Sequence, residues 1–152
     1  MIISRVRASA DDWNRQLGYL PSRAATAVLP APAGDLHLIG LYAPSRDASL
    51  DKTARKQRWL QALTDALAGN GHGPTRTLLL GDLNVLEPDH RPHYSFFAPF
   101  EYDFYNNLHT RHGMVDAFRH IHPHLDEYSW VGRTVDRPGF DRGWVVPQIE
   151  LI

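Results

Sequence analysis

The chain contains no cysteine, only two methionines and no long apolar run. Without thiols it can form neither disulfides nor thiolate metal sites, and its composition agrees with a reducing compartment, so a cytoplasmic location is expected. No stretch approaches the roughly 18 apolar residues of a membrane span, so no membrane partner is expected, and Met1-Ile2-Ile3 is too short for the core of a secretory signal. Internal repeats and low-complexity tracts are also missing. The formal net charge is -1, so bulk electrostatics does not announce a nucleic-acid binder. The two signs are nevertheless unevenly placed. Through Arg58 there are nine Lys/Arg against five Asp/Glu, and from Trp59 onward seven against twelve. Phosphate contacts from the basic half and a cation in the acidic half fit this distribution, and so do two ordinary solvated surfaces.

What is present suits a soluble globular domain: 152 residues, 43% of them hydrophobic, enough for one domain with a moderate core. Residues 1 to 22 are poorly patterned, with only Ile2-Ile3 hinting at a strand. Ala25 to Leu29 and Leu36 to Tyr42 read as a hairpin around the Pro- and Gly-containing turn at 30–35. After Pro44, Ser49 or Asp51 can cap a helix in which Lys56, Trp59, Leu60, Leu63 and Leu67 recur at helical spacing until Gly69-Asn70-Gly71. The apolar run Thr77 to Leu80 reads as a buried central strand. Beyond it come seven aromatics between Tyr94 and Tyr105, which can stack bases but more simply fill a core. A short helical stretch from Leu108 to His120 broken at Gly113, a strand at Tyr128 to Gly132 and a strand-like end from Val145 complete the pattern. Strand, strand, helix, strand points to a mixed α/β architecture.

The chemistry gathers at Gly81-Asp82-Leu83-Asn84. In extended backbone, positions two apart face the same way, so a carboxylate and a carboxamide stand together at the strand's end. Asp82 can take a proton from water or help hold a hard cation, and the Asn84 amide can donate to an anionic oxygen. The plainer reading is that Asp82 begins a turn and Asn84 caps the next segment of chain.

Four segments, in order, make the chain resemble the endonuclease/exonuclease/phosphatase superfamily, particularly its exodeoxyribonuclease III-like and apurinic-endonuclease-like branch. Gly40-Leu41-Tyr42-Ala43-Pro44-Ser45, with the basic helix after it, resembles the strand that ends in a site tyrosine. Leu80-Gly81-Asp82-Leu83-Asn84 resembles the GDxN signature. Gly113 to Arg119 resembles the segment G-L-V-D-x-F-R, and Tyr128 to Arg133 the strand Y-S/T-W with its later Arg. The resemblance implies two mixed β-sheets sandwiched between helices in four layers, a divalent magnesium or manganese ion, and hydrolysis of a phosphoester, most often in DNA, by an activated water. It implies that Asp82 orients or deprotonates that water and helps hold the metal, that Asn84 binds the scissile phosphate and that Tyr42 bonds a phosphate oxygen or the leaving group. Trp130, Arg133, Ser45 and Arg46 would contact substrate, Glu150 would be a rough candidate metal ligand, and Asp116 would brace its helix.

The same resemblance implies a domain of about 250 residues, with an amino-terminal strand carrying Asn and a metal-binding Glu and a closing S-D-H strand. Neither is found here, so residues 1–152 read as one incomplete domain, with self-association through exposed sheet edges as a further expectation. Two other readings stand beside the hydrolase. One is a catalytically inactive remnant that binds nucleic acid or a protein. The other is a transition-metal site built from His109, His112, His120, His122 and His124, although solvated histidines on helix faces explain that spacing more simply.

Overall fold

The computed structural model describes residues 1–69, 76–90 and 95–125 and, beyond them, the backbone of three two-residue strands. The first regular elements are a short strand, β1 (Ser9–Ala10), and a 3-10 segment (Trp13–Leu17). Ile2-Ile3, the hint of a strand in the sequence, is not one. Strands β2 (Ala24–Leu29) and β3 (Leu36–Tyr42) form the expected hairpin, in register from Leu29 opposite Leu36 to Ala24 opposite Leu41. Helix α1 (Leu50–Ala68) comes next. Ser49 stands at its cap position without a side-chain cap bond, while Asp51 puts a negative charge in the first turn, where the helix dipole favours one. The helix gives out at Gly69, as the sequence indicated.

Strand β4 (Arg76–Asp82) then lies parallel to β3, with Leu36 beside Arg76 at one end and Tyr42 beside Asp82 at the other. Parallel neighbours need a crossover connection, and α1 supplies it. Trp59, Leu60 and Leu63 on the helix, Ile39, Leu41 and Leu79 on the sheet, and Trp13 and Leu17 form one buried core. Burial of each such side chain stabilises the fold by about 1.5 to 3 kcal/mol. The consequence for function is that β3 and β4 are held side by side, so their carboxyl ends are fixed relative to each other.

The aromatic segment contains a helix, α2 (Pro99–Thr110), which the sequence pattern did not reveal. Its buried positions, Glu101, Phe104 and Leu108, are spaced as one helix face, but the neighbouring aromatics hide that period. The stretch expected to be helical from Leu108 to His120 is divided otherwise: α2 stops at Thr110, Gly113 turns with φ of 62°, strand β5 (Val115–Asp116) succeeds it, and α3 (Ala117–Ile121) comes last. The remaining strands are β6 (Trp130–Val131), within the segment expected to be a strand, β7 (Pro138–Gly139) and β8 (Trp144–Val145). β6 pairs with β7, and the main sheet is mixed, in the order β1-β2-β3-β4-β8-β5. Among the described residues no helix is long and apolar enough to cross a membrane.

Candidate active site

Gly81 lets the site form. Its φ is 124°, and a Cβ there would lie 2.1 Å from the Leu41 carbonyl oxygen of the adjacent strand. Only glycine allows two backbones so close at this torsion. The close approach seats Asp82 beside Tyr42, and the Ala43 N–H donates to the Asp82 carbonyl at 2.8 Å, which carries the pairing past the strand ends.

Asp82 and Asn84 then make a compact turn. The Asn84 N–H donates to Asp82 Oδ1 at 2.9 Å, and Asn84 Nδ2 donates to Asp82 Oδ2 at 3.2 Å and to the Ala43 carbonyl at 2.9 Å. Asn84 has a left-handed backbone, φ 51°, a conformation that asparagine tolerates better than most residues. Asp82 therefore does begin a turn, as the plainer reading has it, but the Asn84 side chain reaches back to Asp82 and Ala43 instead of capping the next segment, and the turn does not displace the chemical reading. A carboxylate offers about four lone-pair directions, and the half-buried Asp82 accepts two of these bonds. The Asn84 amide is less open than the spacing suggested, because both its donor directions are engaged. To donate to a phosphate it must release one bond, and the longer one to Asp82 is the weaker.

Tyr42 is 57% exposed at the mouth of this arrangement. Arg23, which no sequence motif marks, lies with its guanidinium 5.1 Å from the centre of the Tyr42 ring and donates to the Tyr42 carbonyl at 3.0 Å. The hairpin register contained the signal: with Leu29 opposite Leu36, position 23 falls across from position 42. Arg23 adds a cation to the edge of the site.

Behind the strand ends is a buried ionic cluster. Glu101, wholly inaccessible, accepts from Arg46 Nη2 at 2.7 Å, from Lys56 Nζ at 2.5 Å and from the Ala98 N–H at 2.8 Å. Lys56 Nζ also donates to the Asn84 carbonyl, and Arg46 Nη2 to the Phe96 carbonyl. Arg46 thus sits in a different place from the substrate-facing one expected: its side chain is 7% exposed and its donors hold Glu101, under the Phe96 ring. Ser45 is exposed next to it. The Trp130 side chain, Arg133 and Glu150 lie outside the described residues.

Burial by itself raises the pKa of Glu101, but the bonds from Arg46, Ala98 and Lys56 outweigh it and hold the carboxyl below its ordinary value of 4.5. Burial pushes the Lys56 ammonium down, with Glu101 opposing. A depressed folded pKa on a carboxyl gives stability that is present above the unfolded pKa and lost as pH falls through the folded one. The stability gap between the native protein and Glu101→Gln should therefore be full near neutral pH, roughly 2 kcal/mol, and close as the solution is acidified below 4.5. Thermal melts of both proteins across that range check it, and a gap that does not change with pH would contradict it.

The other motif residues are structural. Asp116 accepts from the Arg119 N–H at 2.9 Å and from the Tyr105 hydroxyl at 3.0 Å, bracing α3 as expected. Arg119 forks onto the buried Glu87, with Nε to Oε2 at 2.9 Å. The histidines do not converge: His109 Nδ1 faces the Met114 carbonyl at 3.2 Å, and His120, His122 and His124 are exposed. Among the described residues no three His, Asp or Glu side chains gather as a metal site.

No family model and no curated protein matches the sequence. Solved structures do match in fold. The chain is similar to an AP endonuclease from Archaeoglobus fulgidus, with a TM-score of 0.68 at 22% identity over 84% of this chain and 54% of that one. It is similar to a 3'-5' exonuclease from Neisseria meningitidis, with a TM-score of 0.67 at 22% identity over 93% and 59%. A Neisseria 3' phosphatase bound to a product DNA hairpin gives a TM-score of 0.67 at 23% identity over 82% and 52%. The chain spans about half the length of these proteins and carries that part of the AP endonuclease and exonuclease III-like fold.

Proposed function

We propose that this chain is part of a magnesium-dependent phosphoester hydrolase acting on DNA, with the ends of β3 and β4 as its reaction site. One observation carries the reading: Tyr42 and the Asp82/Asn84 turn stand side by side at the shared end of two parallel strands, in a fold that AP endonucleases and a DNA-bound phosphatase share. Asp82 takes the proton of the attacking water on a lone pair that the turn leaves open. The Tyr42 hydroxyl donates to a phosphate oxygen or the leaving group, Asn84 lends an amide hydrogen once its bond to Asp82 opens, and Arg23 adds a cation where phosphate approaches.

The described residues do not by themselves make a magnesium site, since no three ligating side chains meet among them. Hard cations need several oxygen ligands, so the ion depends on residues outside the described set, with Glu150 the candidate from sequence. A second reading, which rests on the metal-binding Glu and S-D-H strand of the resemblance not being found in the sequence, is a binding module without turnover. The two separate when cleavage of an abasic duplex and its binding, followed by fluorescence anisotropy, are measured on the same protein and on Asp82→Asn. A hydrolase loses turnover in the variant and keeps binding. Binding without metal-dependent cleavage in any longer form of the chain would leave only the module.

We also propose that the chain self-associates. β1 is an edge strand with both residues exposed, and on β4 of the same sheet Leu80 is 36% exposed. Unpaired edges and open apolar faces template association. Sedimentation should show a mass that grows with concentration, and a monomer at all concentrations would refute it.

A further inference from the structure

Resting on the phosphoester reading of the strand-end site, we infer that Glu101, Lys56 and Arg46 are positioning residues that set the two loops of that site relative to each other. Tyr42 leaves β3 through Ala43-Pro44-Ser45-Arg46, and Asp82 leaves β4 through Leu83-Asn84. Neither exit belongs to a regular element, yet both are gripped from behind by one carboxylate on a third element. Glu101 Oε2 takes Arg46, which closes the first loop, and Glu101 Oε1 takes Lys56, whose ammonium also donates to the Asn84 carbonyl on the second.

The placement is specific to the site. Asn84 has a left-handed backbone, and its carbonyl is the group that Lys56 holds. Its Nδ2 reaches the Ala43 carbonyl on the other loop, so moving the Asn84 backbone moves the Asp82 carboxylate and the Tyr42 exit together. Lys56 is 1% exposed and lies on the core face of α1 with Trp59, Leu60 and Leu63, where an aliphatic residue would pack without the cost of burying an ion. A cation at that position is accounted for by what it holds. Lys56 and Glu101 touch no solvent in which substrate could meet them, so they act through Asn84 and not on the substrate.

The test reads the resting protein, needs no substrate or metal, and so stands whether or not the chain proves to be a hydrolase. Hydrogen exchange is measured by amide NMR at Asn84 and Ala43, with Leu63 and Leu79 as core references, in the native protein and in Lys56→Met. Arg46→Met/Lys56→Met/Glu101→Gln removes all three charges of the cluster at nearly constant volume and serves where the single variant does not fold. Loss of one charge-assisted bond should lower protection at Asn84 and Ala43 roughly tenfold or more relative to the core references, with a shifted Asn84 carboxamide resonance. Protection at Asn84 unchanged against the core in a folded variant overturns the inference. An even loss over all amides, or failure of both variants to fold, makes the cluster a stability element and overturns it equally.

Discussion

Gly81→Ala should lower the stability of the protein by about 3 to 5 kcal/mol, enough to leave much of it unfolded if the native margin is ordinary. Two costs combine. A φ of 124° is a conformation that L side chains rarely adopt, and the new methyl would meet Leu41 backbone atoms at 2.1, 2.9 and 3.0 Å. Those atoms belong to the neighbouring ladder, so relief requires parting β3 from β4 at the point where Tyr42 and Asp82 are paired. Gly113 provides the contrast, with φ of 62° and nothing within 4 Å of a built Cβ. Gly113→Ala should therefore cost only the torsional strain, about 1 kcal/mol. Urea denaturation of both variants beside the native protein measures the difference, and a Gly81→Ala protein as stable as Gly113→Ala would refute the close approach of the strands.

Any phosphoester turnover should fall by about two to four powers of ten in Asp82→Asn. The substitution is chosen because an amide oxygen can still accept the Asn84 N–H, so the turn survives while the proton acceptor is lost. For the same reason Asp82→Ala should lose both the turn and the activity. The 152 residues alone should show weak or undetectable magnesium-dependent cleavage of an abasic duplex, because the metal-binding Glu and the S-D-H strand that the resemblance implies are not found in the sequence. A longer chain that adds the acidic amino-terminal strand and the S-D-H strand implied by the resemblance should cleave clearly and depend on Asp82. Strong turnover by the 152 residues that vanishes in Asp82→Asn would mean that Asp89 or Glu150 completes the site. Glu87 is a poor substitute, since Arg119 already occupies it.

Local signals carried the hairpin, α1 and the central strand, because each is written in a short period with a turn residue at its end. The Gly81-Asp82-Leu83-Asn84 motif was legible for a related reason: its glycine, its apolar run and its two polar side chains lie within one strand and one turn. What escaped depends on partners far away in sequence. Glu101 is 45 residues from Lys56 and 55 from Arg46, so nothing near it announces a buried ionic cluster. The same distance explains Arg46, which in sequence is simply a cation after the site tyrosine. A lysine in the apolar phase of α1 was the one hint. Helix α2 escaped because aromatics surround its buried face on both sides, and the state of the Asn84 amide could not be seen until Ala43 was placed next to it.

Where a nucleotide phosphate and its cation settle decides whether the ends of β3 and β4 are the reaction site. In amide NMR spectra of this protein, a deoxynucleoside monophosphate is added with a trace of manganese, whose paramagnetism broadens nearby signals even when binding is weak. Tyr42, Ala43, Asp82, Leu83 and Asn84 should broaden first and together, with Arg23 next, and Asp82→Asn should weaken the effect. Broadening that begins at the histidines between His109 and His124, or among the basic residues of the amino-terminal half, with the ends of β3 and β4 untouched, would contradict this assignment of the site.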